Sequence, residues 1–288
     1  MLFTLQNNQL SIAVNSFGAE LSSVIKDETE YIWQAEKAVW PRHAPNLFPI
    51  VGKLKNNSFQ YEHKKYELPQ HGFARDNEFQ LIEQTHDTLV FELVTNEALL
   101  KLYPFHFSFQ VIYQLLDNKV VQRYQVTNKA NSVMYFSVGA HPAFNCPLHQ
   151  DEAFEDYELI FPNTEKLTIN VLQDGLISAT TRDIILHNNK LPVTQSLFDN
   201  DALVCMNNQV KEVQLLSKKT KKGVALKSLN WPCFGIWTKK QTTNFICLEP
   251  WYGIADFSNT AQDLKHKKEI ISLGAQQFFN CEFTITFL

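Results

Sequence analysis

Residues 119–128 read KVVQRYQVTN, and residues 133–145 read VMYFSVGAHPAFN. Val121, Tyr124 and Val126 stand among polar neighbours in the first run. Both runs favour β-branched and aromatic residues, as half-buried strands do. The signature recurs in both directions. Leu10, Ile12 and Val14 alternate with Ser11, Ala13 and Asn15, and Leu89, Phe91 and Leu93 repeat the pattern. FGIWT (234–238), NFICLE (244–249) and QFFNCEFTITFL (277–288) carry it to the end, with DN, NN and NK turn signals between runs. Helical periodicity is scarce; NEALLKLYPF (96–105) predicts one or two turns before Pro104. So many strands need stacked sheets to bury their apolar faces. The expected class is all-β, one large antiparallel sandwich or curved sheet pair with little helix. No repeat, Gly/Ser linker or charge block marks a boundary, so residues 1–288 read as a single domain.

Composition sets limits on function. Hydrophobic residues make up 44% of the 288, including 22 Phe, 9 Tyr and 5 Trp, which excludes disorder as the main state. A net charge of −4 gives no bulk attraction to nucleic acid or an anionic membrane, so neither is expected as a partner. No apolar run reaches the roughly 18 residues of a membrane span. MLFTLQNNQL at the N-terminus lacks the basic-then-apolar order of a secretory signal. The five cysteines, Cys146, Cys205, Cys233, Cys247 and Cys281, are odd in number, widely spaced and without C-x-x-C. That argues against a disulfide framework or a cysteine-rich zinc site and for reduced thiols in a cytoplasmic protein. Lys218 to Lys222 form a basic cluster that reads as a solvated β-turn, with a phosphate patch as the minor reading.

Four stretches break the β pattern. In VMYFSVGAHPAFN an apolar strand runs into His141 and Pro142, and proline should end or bulge a strand there. His141 is then either delivered at a strand terminus or bonded to a loop carbonyl. In NFICLEPWYGIAD (244–256) Glu249 follows apolar residues and precedes Pro250. Burial there would raise its pKa and make it a general acid or base; the alternative is a carboxylate that escapes to solvent. Trp251 is either core or a stacking surface. In ELPQHGFARDNEF (67–79) His71 precedes Gly72, so its backbone can be unusual, and Arg75 lies four residues on. In APNLFPIVGKLKNNSF (44–59) Asn46, Lys53 and Lys55 surround an apolar centre.

Several chemistries lack a signal. There is no G-x-G-x-x-G after a strand, no P-loop, no H-E-x-x-H and no G-x-S-x-G. His43, His71, His141 and Glu249 offer no close ligand spacing, so neither metal nor cofactor is expected. Two histidines, a carboxylate and aromatic surfaces fit acid/base work on a sugar.

The ordered series NLFPIVGKL, HGFAR, HPAFN, DNDALV and CLEPWYGIAD resembles the aldose 1-epimerase (galactose mutarotase-like) superfamily, in its LacX-like branch, from about Gln6 to the C-terminus. The resemblance implies a β-supersandwich and interconversion of the α and β anomers of a hexose. It implies Glu249 as general base and His141 as general acid, with His71 and Asp201 binding sugar oxygens; Asp199 is the competing alignment for the aspartate. Lys53 stands where the superfamily's mutarotases carry an arginine, and a lysine point charge cannot make the arginine's planar fork. Lys53, Lys55 and Arg75 are the candidates for a phosphate if the hexose is phosphorylated. A third reading is a non-catalytic carbohydrate-binding protein, and the assembly is expected to be a monomer or homodimer. Charge pairing with Glu249 is expected to raise the His141 pKa and lower that of the glutamate, with burial opposing both.

Overall fold

The computed structural model describes residues 1–288. It is all-β, as the alternation implies. An eight-stranded and a nine-stranded antiparallel sheet stack face to face, and a four-stranded sheet formed by residues 2–30 flanks them. The single α-helix, Glu97–Leu102, is capped by Asn96, whose side chain accepts from Leu99 N–H at 2.9 Å. No helix is long and apolar enough to cross a membrane. All five cysteines are free and buried.

The nine-stranded sheet contains Lys119–Asn128, whose inward face carries Val120, Gln122, Tyr124 and Val126. Val121 therefore faces outward, not inward with Tyr124. The buried Gln122 amide instead donates to Asn46 Oδ1 at 2.7 Å, which also accepts from Tyr124 OH at 2.7 Å. Asn46 donates in turn to the carbonyls of Gly18 and Ala19. A buried amide must be satisfied or it costs about 1–3 kcal/mol, and this network does so for Asn46. The Lys218–Lys222 cluster lies in the turn between Glu212–Ser217 and Gly223–Lys227, with Lys219 paired to Asp156 at 2.6 Å.

The eight-stranded sheet decides where chemistry can sit. Its central strand, Phe245–Tyr252, is buried along almost its whole length because both faces are covered. Ile246 and Leu248 join Phe234 and Ile236 of the neighbouring strand in the main core between the large sheets. Phe245, Cys247 and Trp251 face the other way, into two small apolar clusters. Glu249 lies on that second face, between them. The strand does not end at Glu249-Pro250, as expected, but continues to Tyr252. A proline only withholds one amide donor, and a ladder tolerates that where its neighbour is also interrupted.

Two substitutions test this register. Leu248→Ala removes a fully buried side chain from the core and should lower stability by about 2–5 kcal/mol. Val121→Thr, on the outward face, should change it by less than about 0.5 kcal/mol. Denaturant midpoints read both, and similar costs at the two positions would reject the assignment.

Candidate active site

Two short strands, Val138–Ala140 and Ala143–Asn145, pair with Phe245–Tyr252 on either side of His141-Pro142. Their registers are continuous: Val138 faces Tyr252, Gly139 faces Trp251, Ala143 faces Cys247 and Asn145 faces Phe245. The interrupted position therefore sets His141 directly across from Glu249. His141 thus follows directly on the end of Val138–Ala140, at the strand terminus expected before Pro142, and its Nε2 approaches Glu249 Oε2 to 3.2 Å without hydrogen-bond alignment. Pro142 and Pro250 each withhold a donor beside the pair, and Leu248 N–H to Pro142 O, at 3.2 Å, remains. The ladder is loosened where the two side chains face each other.

Around the pair lies a cavity of about 370 Å³. Trp251, two residues from Glu249, lies on the same strand face. A Cβ on Gly139 would come within 2.7 Å of its indole and one on Gly235 within 2.3 Å, so two glycines on flanking strands make room for the ring. Trp251 Nε1 has no hydrogen-bond partner. Trp40 stacks on the His141 ring at 5.1 Å, and Trp237 meets it edge-on at 5.8 Å.

His71 enters from the HGFAR loop with φ +67, in the left-handed region. Gly72, at φ +71, passes so close to Phe48 that a Cβ would lie 2.3 Å from that carbonyl oxygen. The His71 backbone N–H donates to Gly52 O at 2.9 Å, and Gly52 N–H donates back to His71 Nδ1 at 3.1 Å. Nδ1 therefore accepts, and the ring proton sits on Nε2. The His71 and His141 rings stand nearly perpendicular at 5.5 Å. Arg75 also lines the cavity; its Nη2 donates to Gln70 O at 2.7 Å, and its buried Nε is unpartnered.

Asp201 lines the cavity, with Oδ1 accepting from Ala202 N–H at 2.8 Å; Asp199 does not line it. Lys53 differs from expectation. It is absent from the lining, and its ammonium donates to Asp174 O at 2.9 Å, at the tip of the Lys166–Gln173 and Leu176–Ile185 hairpin. Glu249, His141, His71, Asp201, Arg75 and Trp251 thus border one cavity, whereas Lys53 and Lys55 do not. Trp40, Trp237 and Gln70 border it too and were not foreseen. Gln70 immediately precedes His71, which was a usable signal; the two tryptophans read as core.

Electrostatics reverse the expected shifts. Burial pushes His141 down to about 3, and the Arg75 guanidinium adds to that. Burial pushes Glu249 well above the carboxylate range, helped by the Asp201 charge and opposed by the Trp251 indole. Pairing does not win, because both side chains are more than nine-tenths buried. Burial first, then His141 and the arginines, also hold His71 well below its ordinary value and hence neutral. Both shifts favour the uncharged forms, a neutral imidazole beside a carboxylic acid, over the separate charges. Neutral imidazole with carboxylic acid, and imidazolium with carboxylate, differ only in the placement of one proton.

A sequence profile of the family described as Aldose 1-epimerase matches residues 1–282. Protein LacX of Lactococcus lactis subsp. lactis, in plasmid and chromosomal forms, is 32% identical over 298 residues that span all of both chains. A galactose mutarotase related enzyme from Lactobacillus acidophilus superposes with a TM-score of 0.96 at 35% identity, over 100% of this chain and 97% of its own. A galactose mutarotase-like protein from Lactobacillus casei superposes with a TM-score of 0.94 at 29% identity, over all of both chains.

Gly235→Ala tests the floor of the cavity. The added methyl overlaps the Trp251 ring, so stability should fall by about 1–3 kcal/mol and the near-ultraviolet dichroism of the tryptophans should change. A variant with native stability and spectrum would show that the indole is not held there.

Proposed function

The chain belongs to the aldose 1-epimerase family of sugar isomerases, and on that premise we propose that it interconverts the α and β anomers of a hexose by acid/base ring opening in one domain spanning 1–288. The observation that carries the reading is the opposition of His141 and Glu249 at 3.2 Å at the border of one cavity. Transfer of the carboxyl proton from Glu249 to His141 makes the reactive pair. Glu249 carboxylate then takes the proton of the C1 hydroxyl, and His141 imidazolium gives its proton to the ring oxygen. The C1–O5 bond breaks and the open aldehyde forms. Rotation about C1–C2 presents the other carbonyl face, and the steps run backward to the second anomer. The buried setting favours a mechanism whose start and end keep the pair neutral overall.

In this reading His71 donates from Nε2–H to a sugar oxygen, Asp201 accepts from sugar hydroxyls, and the Trp251 indole supplies an apolar face and a free N–H. A second reading has its own observation. The Arg75 guanidinium at the border of the cavity, its Nε 3.8 Å from Asp76, favours an anionic substituent on the sugar, as in a hexose phosphate. Polarimetry with α-glucose, α-galactose and their 6-phosphates separates the two. Acceleration of none of them would leave a non-catalytic sugar-binding protein.

Two predictions follow from the pair. His141→Asn keeps a donor but cannot deliver a proton, so kcat should fall by about 10²- to 10⁴-fold with a smaller change in KM. Near-normal kcat would move the acid elsewhere, with His71 the next residue to test. The pH profile tests the shifts, measured with a chelator present. Lowering of His141 moves the acid limb down, because the pair gains its second proton only in stronger acid. Raising of Glu249 moves the alkaline limb up, because the last proton leaves later. The kcat/KM should therefore be flat across neutral pH. Unshifted groups would confine the optimum between about pH 4.3 and 6.5, and a narrow bell there would contradict the account.

A further inference from the structure

The face that carries Glu249 also carries Cys247, two residues earlier on the same strand. The register that sets His141 across from Glu249 makes Cys247 its diagonal neighbour, paired with Ala143. One ligand atom from each of His141, Cys247 and Glu249 lies within 4.8 Å of the others, and all three residues are buried. Spacing along the sequence conceals this cluster, because the histidine is supplied by a different strand. Tetrahedral zinc, with bonds of about 2.0 Å to nitrogen or oxygen and about 2.3 Å to sulfur, places its ligands roughly 3.5 Å apart. The 3.2 Å between His141 Nε2 and Glu249 Oε2 is already near that spacing, and Glu249 Oε2 has no hydrogen-bond partner to give up.

We propose that His141, Cys247 and Glu249 form an inhibitory site for a thiophilic divalent cation, with zinc as its representative, open to the sugar cavity at the fourth position. The charges balance. A thiolate and a carboxylate neutralise Zn²⁺ and the imidazole remains neutral, so a complex of zero net charge replaces groups whose separate charges burial penalises. On binding, the Cys247 thiol and the Glu249 carboxyl release their protons to solvent, and three metal–ligand bonds form. His141 and Glu249 border the cavity while Cys247 lies behind them, so a fourth position on the cavity side would make this an open rather than a closed zinc site. Inhibition rests on the proposed acid/base reading, since the metal occupies the two groups that would move protons. Binding does not rest on it.

The test uses the whole chain, freed of metal with a chelator and titrated with Zn²⁺ against a chromophoric competitor and with Co²⁺ by absorption. The expected result is one tight equivalent per chain and a thiolate-to-cobalt charge-transfer band. Cys247→Ser, which keeps the size of the side chain, and Cys247→Ala should both lose the band and weaken zinc at least about 100-fold. Both should stay folded by circular dichroism, with a modestly lower melting temperature from the buried change, and keep uninhibited mutarotation at zinc concentrations that stop the unaltered protein. Equal zinc affinity in the variants and the unaltered chain, or a cobalt complex without the thiolate band, would overturn the site. Tight, Cys247-dependent zinc binding to a protein that still turns over at full rate would instead uphold the metal site and reject His141 and Glu249 as the proton carriers.

Discussion

A strand that is covered on both faces has no route by which a charged side chain can reach water. Phe245–Tyr252 is such a strand, and Glu249 is placed in its middle. Everything distinctive about the site follows from that constraint. Burial pushes the carboxyl pKa up and that of its cross-strand partner His141 down, so both are driven toward their uncharged forms 3.2 Å apart. A mobile surface pair of the same residues would be screened and hydrated, and its two protonation states would differ little in energy from those in free solution.

The prolines belong to the same arrangement. Pro142 and Pro250 flank the pair on adjacent strands, and each deletes a backbone donor that would otherwise tie the strands rigidly together. Continuous register on both sides of the gap keeps the two side chains facing each other while the backbone between them stays under-bonded. Gly139 and Gly235 then let the Trp251 indole lie across the sheet, so that the cavity floor is flat and aromatic. Rigid strands carry His141, Glu249 and Trp251. Trp40, His71, Arg75 and Asp201 come from loops and a short 3-10 turn at the rim of the same cavity.

Much of this was legible in the sequence. Alternation gave antiparallel sheets, and HGFAR, HPAFN, DNDALV and LEPW supplied six of the residues that border the cavity. The failures have physical causes. Gln122 was not foreseen at an inward place, because it is buried in a network with Asn46 and Tyr124 that no local pattern reveals. The strand was expected to stop at Glu249 because proline was treated as a terminator. The uninterrupted apolar run FICLEPW was itself the sign of a strand buried on both faces, and that sign also foretells the pKa shifts. Lys53 was placed at the sugar by its position in GKL, yet its long stem reaches the Asp174 carbonyl instead. Trp40 and Trp237 gave no pattern, since an aromatic residue lining a cavity and one filling a core look alike in sequence.

The central claim is that Glu249 is the group that removes the C1 hydroxyl proton. Glu249→Gln keeps the size and hydrogen-bonding capacity of the side chain but abolishes its basicity, and it leaves the cavity neutral as before. Exchange spectroscopy by NMR on the accepted sugar measures anomer interconversion and binding in one sample. The account predicts that enzyme-dependent exchange falls by about 10²- to 10⁴-fold while sugar affinity stays within a few-fold of the unaltered protein. Exchange at the native rate in Glu249→Gln would contradict it.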